Sequence, residues 1–274
     1  MASHEVKPNV EWPAAPTITE WLQDKPIETW RNGFENDGYL IVEDLLTEKE
    51  VKIYQDLTSK MLSGEIDTSR HRHDLGNASE RKKEDVENIC QIMWPSLYVD
   101  NLDQGPLHMR TQAVANIIIG EDAVFDFDMF LSKAPHTNTE TPWHQDESYW
   151  GDVEDTRSAS FWMAVDDAFK DNGCMWFVPG SHRRGLCDHR FVKDGCHVRT
   201  CDINDGEVKV AGEIRAGSVT IHHGRTLHYT RGNTTDKPRR AYVTAYRPRK
   251  MVDAFRQRGF DHGEKGIKGN TQFV

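Results

Sequence analysis

The sequence of 274 residues has little of what marks a membrane protein or a nucleic-acid-binding protein. No apolar run approaches the roughly 20 residues that a membrane-spanning helix requires, and the mean hydropathy is −0.71. The 34 basic residues are outnumbered by 44 acidic ones, which gives a net charge of −10. Nucleic-acid binding needs an excess of lysine and arginine on one face. The composition therefore argues against both classes.

Cysteine is scarce, and its spacing forms no recognisable pattern. The five cysteines include no Cys-x-x-Cys pair, so neither a disulfide framework nor a zinc knuckle is predicted. Residues 1–12 are polar and lack the apolar stretch of a secretory signal. Residues 271–274 do not form a peroxisomal address. We therefore expect reduced thiols and a cytoplasmic protein, and the sequence leaves open whether the chain forms a homodimer.

The second half of the chain has the composition of a β protein. Short apolar or alternating runs, separated by Gly, Pro, Asn or Asp, are typical of the antiparallel strands of a sandwich or barrel; they cover 124–131, 160–165, 174–178, 218–223 and 241–246. No repeat or low-complexity linker divides the chain, so we expect a single domain over residues 1–274. The predicted fold class is mainly β with flanking helices, with helical elements over about 1–120, a double-stranded β core over about 121–250 and a tail over 251–274.

Helix signals are clearest in the first half. Thr47 and Glu50 form a capping box before an apolar pattern with helical spacing, and Gly64 can end that helix. Pro106 can open another helix, because its missing N–H costs nothing in the first turn. Between these two helices, residues 65–105 are charged and irregular. A long segment of this kind is usually a functional lid or a mobile loop.

His144 and Asp146 form the first part of a candidate metal site. On a strand they would share a face, because alternate side chains point the same way. An imidazole and a carboxylate are two of the three ligands of a 2-His-1-carboxylate triad, which holds Fe(II) and leaves positions open for oxygen and a co-substrate. A His-x-Asp pair by itself also occurs by chance on exposed strands. A second histidine, His228, ends the element that follows a predicted strand and a tight Gly turn, and Arg239 and Arg240 come later in the chain.

This order of two histidines, an aspartate and a later arginine is the order found in Fe(II)- and 2-oxoglutarate-dependent oxygenases. The chain resembles the phytanoyl-CoA dioxygenase (PhyH) family in particular. Four segments carry the resemblance: Trp-His-Gln-Asp at 143–146, Pro-Gly-Ser-His at 179–182, Gly-Arg-Thr-Leu-His at 224–228 and Arg-Arg-Ala at 239–241. Together they extend over much of the second half of the chain.

The resemblance implies a double-stranded β-helix, or cupin-like jelly roll, with iron near one mouth. By matching positions, His144, Asp146 and His228 would be the ligands. Arg239 would pair with the distal carboxylate of 2-oxoglutarate, since a planar guanidinium binds a carboxylate through two parallel bonds. Arg240 is the alternative, because neighbours on a strand face opposite ways and only one of the two can point inward.

The resemblance also implies contacts beside the co-substrate. Trp162 stands where this family has an aromatic residue next to 2-oxoglutarate, and Thr141 stands where a side chain can hydrogen-bond it. For both residues a purely structural role is an alternative. From the residues themselves, Gln91 and Phe127 are candidates for contact with a substrate. Lys133 could face the site, but it is expected to be solvated.

These expectations describe an enzyme that uses Fe(II), 2-oxoglutarate and O2 to oxidise a C–H bond of a free small molecule, with release of succinate and CO2. The reaction would be hydroxylation, desaturation or cyclisation, and secondary metabolism is a suitable context. One alternative is an acyl-CoA hydroxylase of the same family, against which the net negative charge weighs. A metallo-cupin enzyme that does not use 2-oxoglutarate and a non-catalytic jelly-roll binding module also compete with this hypothesis. Arg239 discriminates, because a buried guanidinium needs a keto acid or another anion to pair with.

Overall fold

The computed structural model describes residues 7–75, 87–150, 154–192 and 198–265. The α-helices in these ranges are α1 (Ile18–Leu22), α2 (Ile27–Asp37), α3 (Glu48–Ser63), α4 (Pro106–Ile118) and α5 (Arg249–Gln257). Helix α3 begins and ends where its sequence predicts. The Thr47 side chain accepts a hydrogen bond from the backbone of Glu50, and Gly64 ends the helix with φ of 81°, a left-handed conformation that glycine adopts without steric cost. None of these helices combines the length and the apolarity needed to cross a membrane.

The strands form a mainly β core, which confirms the predicted fold class. They are β1 (Tyr39–Val42), β2 (Arg72–Asp74), β3 (Ile89–Met93), β4 (Ala123–Lys133), β5 (Thr141–His144), β6 (Ala159–Ala164), β7 (Met175–Phe177), β8 (Arg190–Phe191), β9 (Arg199–Thr200), β10 (Val210–Gly212), β11 (Val219–His222), β12 (His228–Thr230) and β13 (Arg239–Pro248). A seven-stranded major sheet has the order β1-β11-β6-β13-β4-β3-β2, and a four-stranded minor sheet has the order β10-β7-β12-β5. All these pairs are antiparallel, as the jelly-roll expectation requires. Strands β8 and β9 pair separately.

The two faces of the major sheet differ in burial. On β4, Asp128 and Phe130 are fully buried on one face, and Phe130 belongs to the large apolar cluster that also contains residues of α3 and α4. Met129 and Leu131 alternate with them on the opposite face and are only half-buried. Since alternate strand residues share a face, the helices cover one side of this sheet. The other side forms the inner surface of the β core.

Two predictions about the chain's organisation need correction. The segment 65–105, predicted to be irregular, contains β2, β3 and a 3₁₀ turn at Pro95–Tyr98; residues 76–86 lie outside the described residues. Strand β3 pairs with β4, a distant partner that no local pattern reveals. The predicted C-terminal tail begins with helix α5, and residues 266–274 lie outside the described residues.

Candidate metal centre and co-substrate pocket

His144, Asp146 and His228 come together at one end of the minor sheet. His144 is the last residue of β5, and its cross-strand partner is His228, the first residue of β12. The three side chains offer ligand atoms that all lie within 4.8 Å of one another. Asp146 begins a 3₁₀ turn, Asp146–Tyr149, so the prediction that it shares a strand face with His144 is wrong. The turn forms because the Glu147 N–H donates to Gly224 O at 3.0 Å, which takes the chain away from the strand.

Each histidine of this triad is oriented by a backbone carbonyl. His144 Nδ1 lies 2.8 Å from Pro142 O, and His228 Nδ1 lies 2.9 Å from Thr226 O. A carbonyl only accepts, so each Nδ1 carries the proton and each Nε2 keeps its lone pair. The two Nε2 atoms lie 3.6 and 3.3 Å from Asp146 Oδ1. Ligands about 2.1 Å from a metal ion and at right angles to each other lie about 3 Å apart, so the spacing fits a shared ion.

The second carboxylate oxygen of Asp146 has partners of its own. Ser160 Oγ lies 3.0 Å and His222 Nε2 lies 3.1 Å from Asp146 Oδ2. Two adjacent histidines, His222 and His223, precede the turn that leads to His228. The structure places His222 beside Asp146 and His223 away from it, 5.4 Å from the ring of His182. Successive side chains of a strand point to opposite faces, and this alternation is the sequence signal that distinguishes His222 from His223.

Electrostatics favours the protonation states that bind a metal. Burial acts to raise the pKa of Asp146, but the interactions with His228, His144 and His222 lower this pKa well below its usual value. Burial, followed by the unfavourable interaction with a second proton-binding imidazole at His228, lowers the pKa of His144. An ionised carboxylate next to a neutral imidazole is the donor set that metal binding requires.

Arg239, the first residue of β13, is a buried cation with no ionic partner. Its side chain is 2% exposed, its guanidinium carbon lies 4.9 Å from the Trp162 ring centre, and Nε and Nη1 have no hydrogen-bond partner. Burial lowers the pKa of Arg239 to about 10, so it is charged at neutral pH. No carboxylate in the described part of the chain forms an ion pair with it. A buried, unpaired charge is costly, so the pocket fits an anionic ligand group.

Further polar atoms without partners lie on the same inner surface. Thr220 Oγ1 and Thr230 Oγ1 are buried and unpaired. Thr220 is the cross-strand partner of Trp162, and Thr230 is the partner of the half-buried Thr141. Buried hydroxyls normally find a hydrogen-bond partner. A ligand with oxygen atoms along its length, bound between the triad and Arg239, would therefore give these hydroxyls hydrogen-bond partners.

Arg240 and Lys133 test two other predictions. Arg240 points away from the pocket. Its Nη2 lies 2.7 Å from Asp166 Oδ1, so of the two arginines Arg239 faces inward.

The prediction that Lys133 is solvated is wrong. Lys133 is 1% exposed, and its Nζ donates to Arg231 O at 2.6 Å and to Thr139 O at 3.0 Å. The residues next to Lys133 in sequence do not indicate that it is buried, because the groups that cover its side chain belong to the minor sheet.

Gln91 and Phe127 lie on the strands next to this pocket. The Gln91 amide donates to Met129 Sδ at 3.3 Å on the half-buried inner face. Phe127 is 8% exposed, and the ring of His262 stacks on it with a centroid distance of 4.0 Å. The sequence identifies both as candidates for substrate contact, but it does not reveal that the C-terminal segment covers Phe127.

Comparison with known proteins places this geometry in a family. A model of "Phytanoyl-CoA dioxygenase (PhyH)" matches residues 34–241. Phytanoyl-CoA dioxygenase domain-containing protein 1 of Bos taurus is 30% identical over 141 residues, which is 49% of this chain and 48% of the relative. The match thus spans about half the length of that curated relative.

Solved structures extend the similarity to most of the chain. EvdO2 from Micromonospora carbonacea var. aurantiaca, complexed with 2-oxoglutarate, has a TM-score of 0.64, 26% identity and coverage of 79% of this chain and 88% of its own. SnoK, a non-heme alpha-ketoglutarate-dependent carbocyclase from nogalamycin biosynthesis, has a TM-score of 0.65, 25% identity and coverage of 85% and 87%. The fold, the triad geometry and the match over residues 34–241 lead to one conclusion: the chain belongs to the phytanoyl-CoA dioxygenase (PhyH) family of iron- and 2-oxoglutarate-dependent oxygenases.

Proposed function

We propose that this chain uses Fe(II), 2-oxoglutarate and O2 to oxidise a C–H bond of a free small organic molecule, with release of succinate and CO2. The observation that carries the proposal is the buried, unpaired guanidinium of Arg239 in the same β core as the His144, Asp146 and His228 triad. A metal site alone would fit many hydrolases and cupins. A metal site combined with a pocket for a carboxylate fits a keto acid co-substrate.

In this proposal His144, Asp146 and His228 hold the ferrous ion. When bound, the ion supplies positions for the keto acid and O2 and the oxidising power for the C–H bond. Arg239 binds the distal carboxylate of 2-oxoglutarate, and Trp162 fixes the guanidinium from its ring face. Thr141, half-buried at the start of β5, is the proposed hydrogen-bonding contact to the co-substrate.

The surrounding residues keep water away from the reacting groups. The inner surface between the triad and Arg239 includes the buried side chains of Phe177, Ala241 and Val243. Low polarity strengthens the ion pair between Arg239 and a carboxylate, because fewer water molecules compete for either group. A dry pocket would also limit side reactions with water.

The small-molecule substrate and the context of secondary metabolism rest on the relatives. SnoK is named for its role in nogalamycin biosynthesis, and EvdO2 has been crystallised with 2-oxoglutarate. The competing acyl-CoA hydroxylase would need cations for the phosphates of coenzyme A, and the net charge of −10 offers no general excess of them. A metallo-cupin enzyme without 2-oxoglutarate would leave Arg239 unexplained.

The deciding experiment measures succinate formation by the purified protein with Fe(II), ascorbate and 2-oxoglutarate, and iron content in parallel. We expect slow turnover of 2-oxoglutarate even without the true substrate. His144→Ala should lose bound iron and turnover, and Arg239→Ala should keep iron but weaken 2-oxoglutarate binding by about 30-fold or more, as loss of a buried charge partner does.

Matched controls separate these roles from general damage. His136→Ala removes an exposed histidine that pairs with Asp236, and Arg190→Ala removes an exposed arginine that pairs with Asp202. Both should behave as the unaltered protein. Absence of turnover together with unchanged 2-oxoglutarate affinity in Arg239→Ala would refute the proposed activity. Full iron occupancy in His144→Ala would refute the ligand assignment.

A further inference from the structure

Gln145 lies between two of the metal ligands in sequence, and its side chain is fully buried. Its Nε2 donates to Gly185 O at 2.8 Å and to Arg225 O at 2.7 Å. Its Oε1 accepts from the backbone N–H of Cys187 at 2.8 Å. Both donors and the acceptor of the amide therefore have partners, and these bonds hold the side chain in one orientation.

The bond to Arg225 joins the two parts of the chain that carry the metal ligands. Arg225 belongs to the turn that precedes His228, whereas Gln145 directly precedes Asp146. Asp146 stands beyond the end of β5, where the pairing of β5 with β12 does not reach it. On the other side of Asp146, the N–H of Glu147 donates to the carbonyl of the residue before Arg225 at 3.0 Å. The turn that leads to His228 is thus bonded to the chain on both sides of Asp146.

Residues 185–189 are held at the same place. Besides the bonds to Gly185 and Cys187, the backbone N–H of Gln145 donates to His189 Nε2 at 3.1 Å. His189 Nδ1 lies 2.8 Å from Cys187 O, and because a carbonyl only accepts, Nδ1 carries the proton and Nε2 keeps the lone pair. Residues 185–189 belong to neither the major nor the minor sheet, so these bonds help to fix their position.

We propose that Gln145 is a positioning residue of the metal centre: its amide holds the segment with His144 and Asp146 against the turn that leads to His228. This inference rests on the proposed function, because it takes these three residues as the metal ligands. Ligands from two distant segments must be ordered before they can share an ion, and this ordering opposes binding unless other contacts have already achieved it. The amide of Gln145 provides such contacts before the metal binds.

The first test titrates the metal-free, full-length protein with Co(II) and follows the d–d absorption of cobalt. Gln145→Met keeps the approximate length of the side chain but removes both donors and the acceptor. We expect Co(II) affinity to fall by about 10-fold or more, as it does when contacts that orient metal ligands are lost. The absorption bands should also shift, because the distances among the ligands change.

Asn233 offers a matched control, because it is a second fully buried amide with the same pattern of bonds. Its Nδ2 donates to Lys237 O at 2.7 Å and to Lys133 O at 3.3 Å, and its Oδ1 accepts from the Thr235 N–H at 3.0 Å. Asn233→Leu removes these bonds from the turn between β12 and β13. It should lower the free energy of unfolding in urea, as Gln145→Met does, but leave the Co(II) affinity and the absorption bands unchanged.

The second test needs no variant. In the unaltered protein with isotope-labelled glutamine and asparagine, NMR follows the exchange of the side-chain amide hydrogens of Gln145 and Asn233 in heavy water. If the contacts of Gln145 favour metal binding, metal binding must stabilise those contacts by the same factor. We therefore expect Zn(II) to slow exchange at Gln145 by at least about fivefold more than at Asn233, whose exchange reports on the stability of the fold as a whole.

Each result has a defined meaning. Unchanged Co(II) affinity in Gln145→Met, equal losses of affinity in Gln145→Met and Asn233→Leu, or equal slowing of exchange at the two amides each overturn the role of Gln145 while the metal centre stands. If Gln145→Met does not fold, the exchange measurement decides. An unaltered protein that binds no Co(II) overturns the proposed function, and the role of Gln145 fails with it.

Discussion

The two ends of β13 carry the same chemical group in opposite situations. Arg239 at one end and Arg247 at the other are both almost fully buried, with 2% and 1% exposure, and each lies over a tryptophan ring. Arg247 pairs with Asp126, whereas no carboxylate in the described ranges pairs with Arg239. A buried cation with an internal partner stabilises the fold, and a buried cation without one marks a place for a ligand.

The largest expected effect concerns the paired end. Asp126→Asn removes the carboxylate that pairs with Arg247 and Arg256, and breaking such a buried pair costs about 3–5 kcal/mol. The free energy of unfolding, measured in urea, should fall by that amount. Asp236→Asn is the control, because Asp236 is 93% exposed and pairs with the exposed His136. Equal stability of the two variants would contradict the role of Asp126.

A substitution at the unpaired end of β13 should change the free energy of unfolding in the opposite direction. Arg239→Met removes a buried charge that has no partner in the ligand-free protein, so the free energy of unfolding should rise, by about 1–4 kcal/mol. The variant should lose the thermal stabilisation that 2-oxoglutarate gives the unaltered protein. Calorimetry with and without 2-oxoglutarate tests both effects. A loss of stability without ligand would show that Arg239 has a structural partner after all.

A smaller effect is expected from the hydrogen bond behind the metal ligands. His222→Phe keeps an aromatic ring but removes the bond to Asp146 Oδ2, which is 3.1 Å long. Loss of such an orienting contact typically weakens metal affinity by about 10–100-fold. Competition with a metal chelator measures the change, with His136→Phe as the exposed control. Unchanged affinity would show that Ser160 alone suffices to orient Asp146.

The smallest effect is a pH dependence at Lys133, the cross-strand partner of Arg239. Burial, followed by the charge of Arg239, lowers the pKa of Lys133 well below its usual value. Between that lowered pKa and about 10.4, the unfolded chain binds more protons than the folded one. Stability from this group therefore rises with pH in that window, by at most about 1.4 kcal/mol per unit.

Urea unfolding of the unaltered protein and of Lys133→Met between pH 7 and pH 10 isolates this contribution. The stability of the unaltered protein relative to the variant should increase with pH. A difference that stays constant would mean that Lys133 keeps its proton throughout the range. Other groups titrate in both proteins and cancel in the comparison.

Local patterns predicted the elements that local interactions determine. The capping box at Thr47, the left-handed Gly64 and the alternating strand of β4 depend on neighbours in sequence, so their positions are confirmed. Strand β3 and helix α5 escaped prediction, because their stability depends on distant partners on β4 and at Trp150. The organisation as one domain over residues 1–274 and the cytoplasmic location stay predictions.

The candidate site shows the same division. The motif identified His144, Asp146 and His228, and the structure brings their ligand atoms together. The sequence motif did not identify Lys133 as buried or His222 as the partner of Asp146. Both depend on which surfaces meet after folding.

The sequence by itself determined the family, the mainly β fold class and the residues able to bind a metal, because these follow from residue types in a fixed order. Only the tertiary structure decided which buried charges are paired and which remain available to a ligand. The physical reason is that desolvation and ion pairing depend on distances between residues far apart in the chain, as for Asp126 with Arg247 and Arg256.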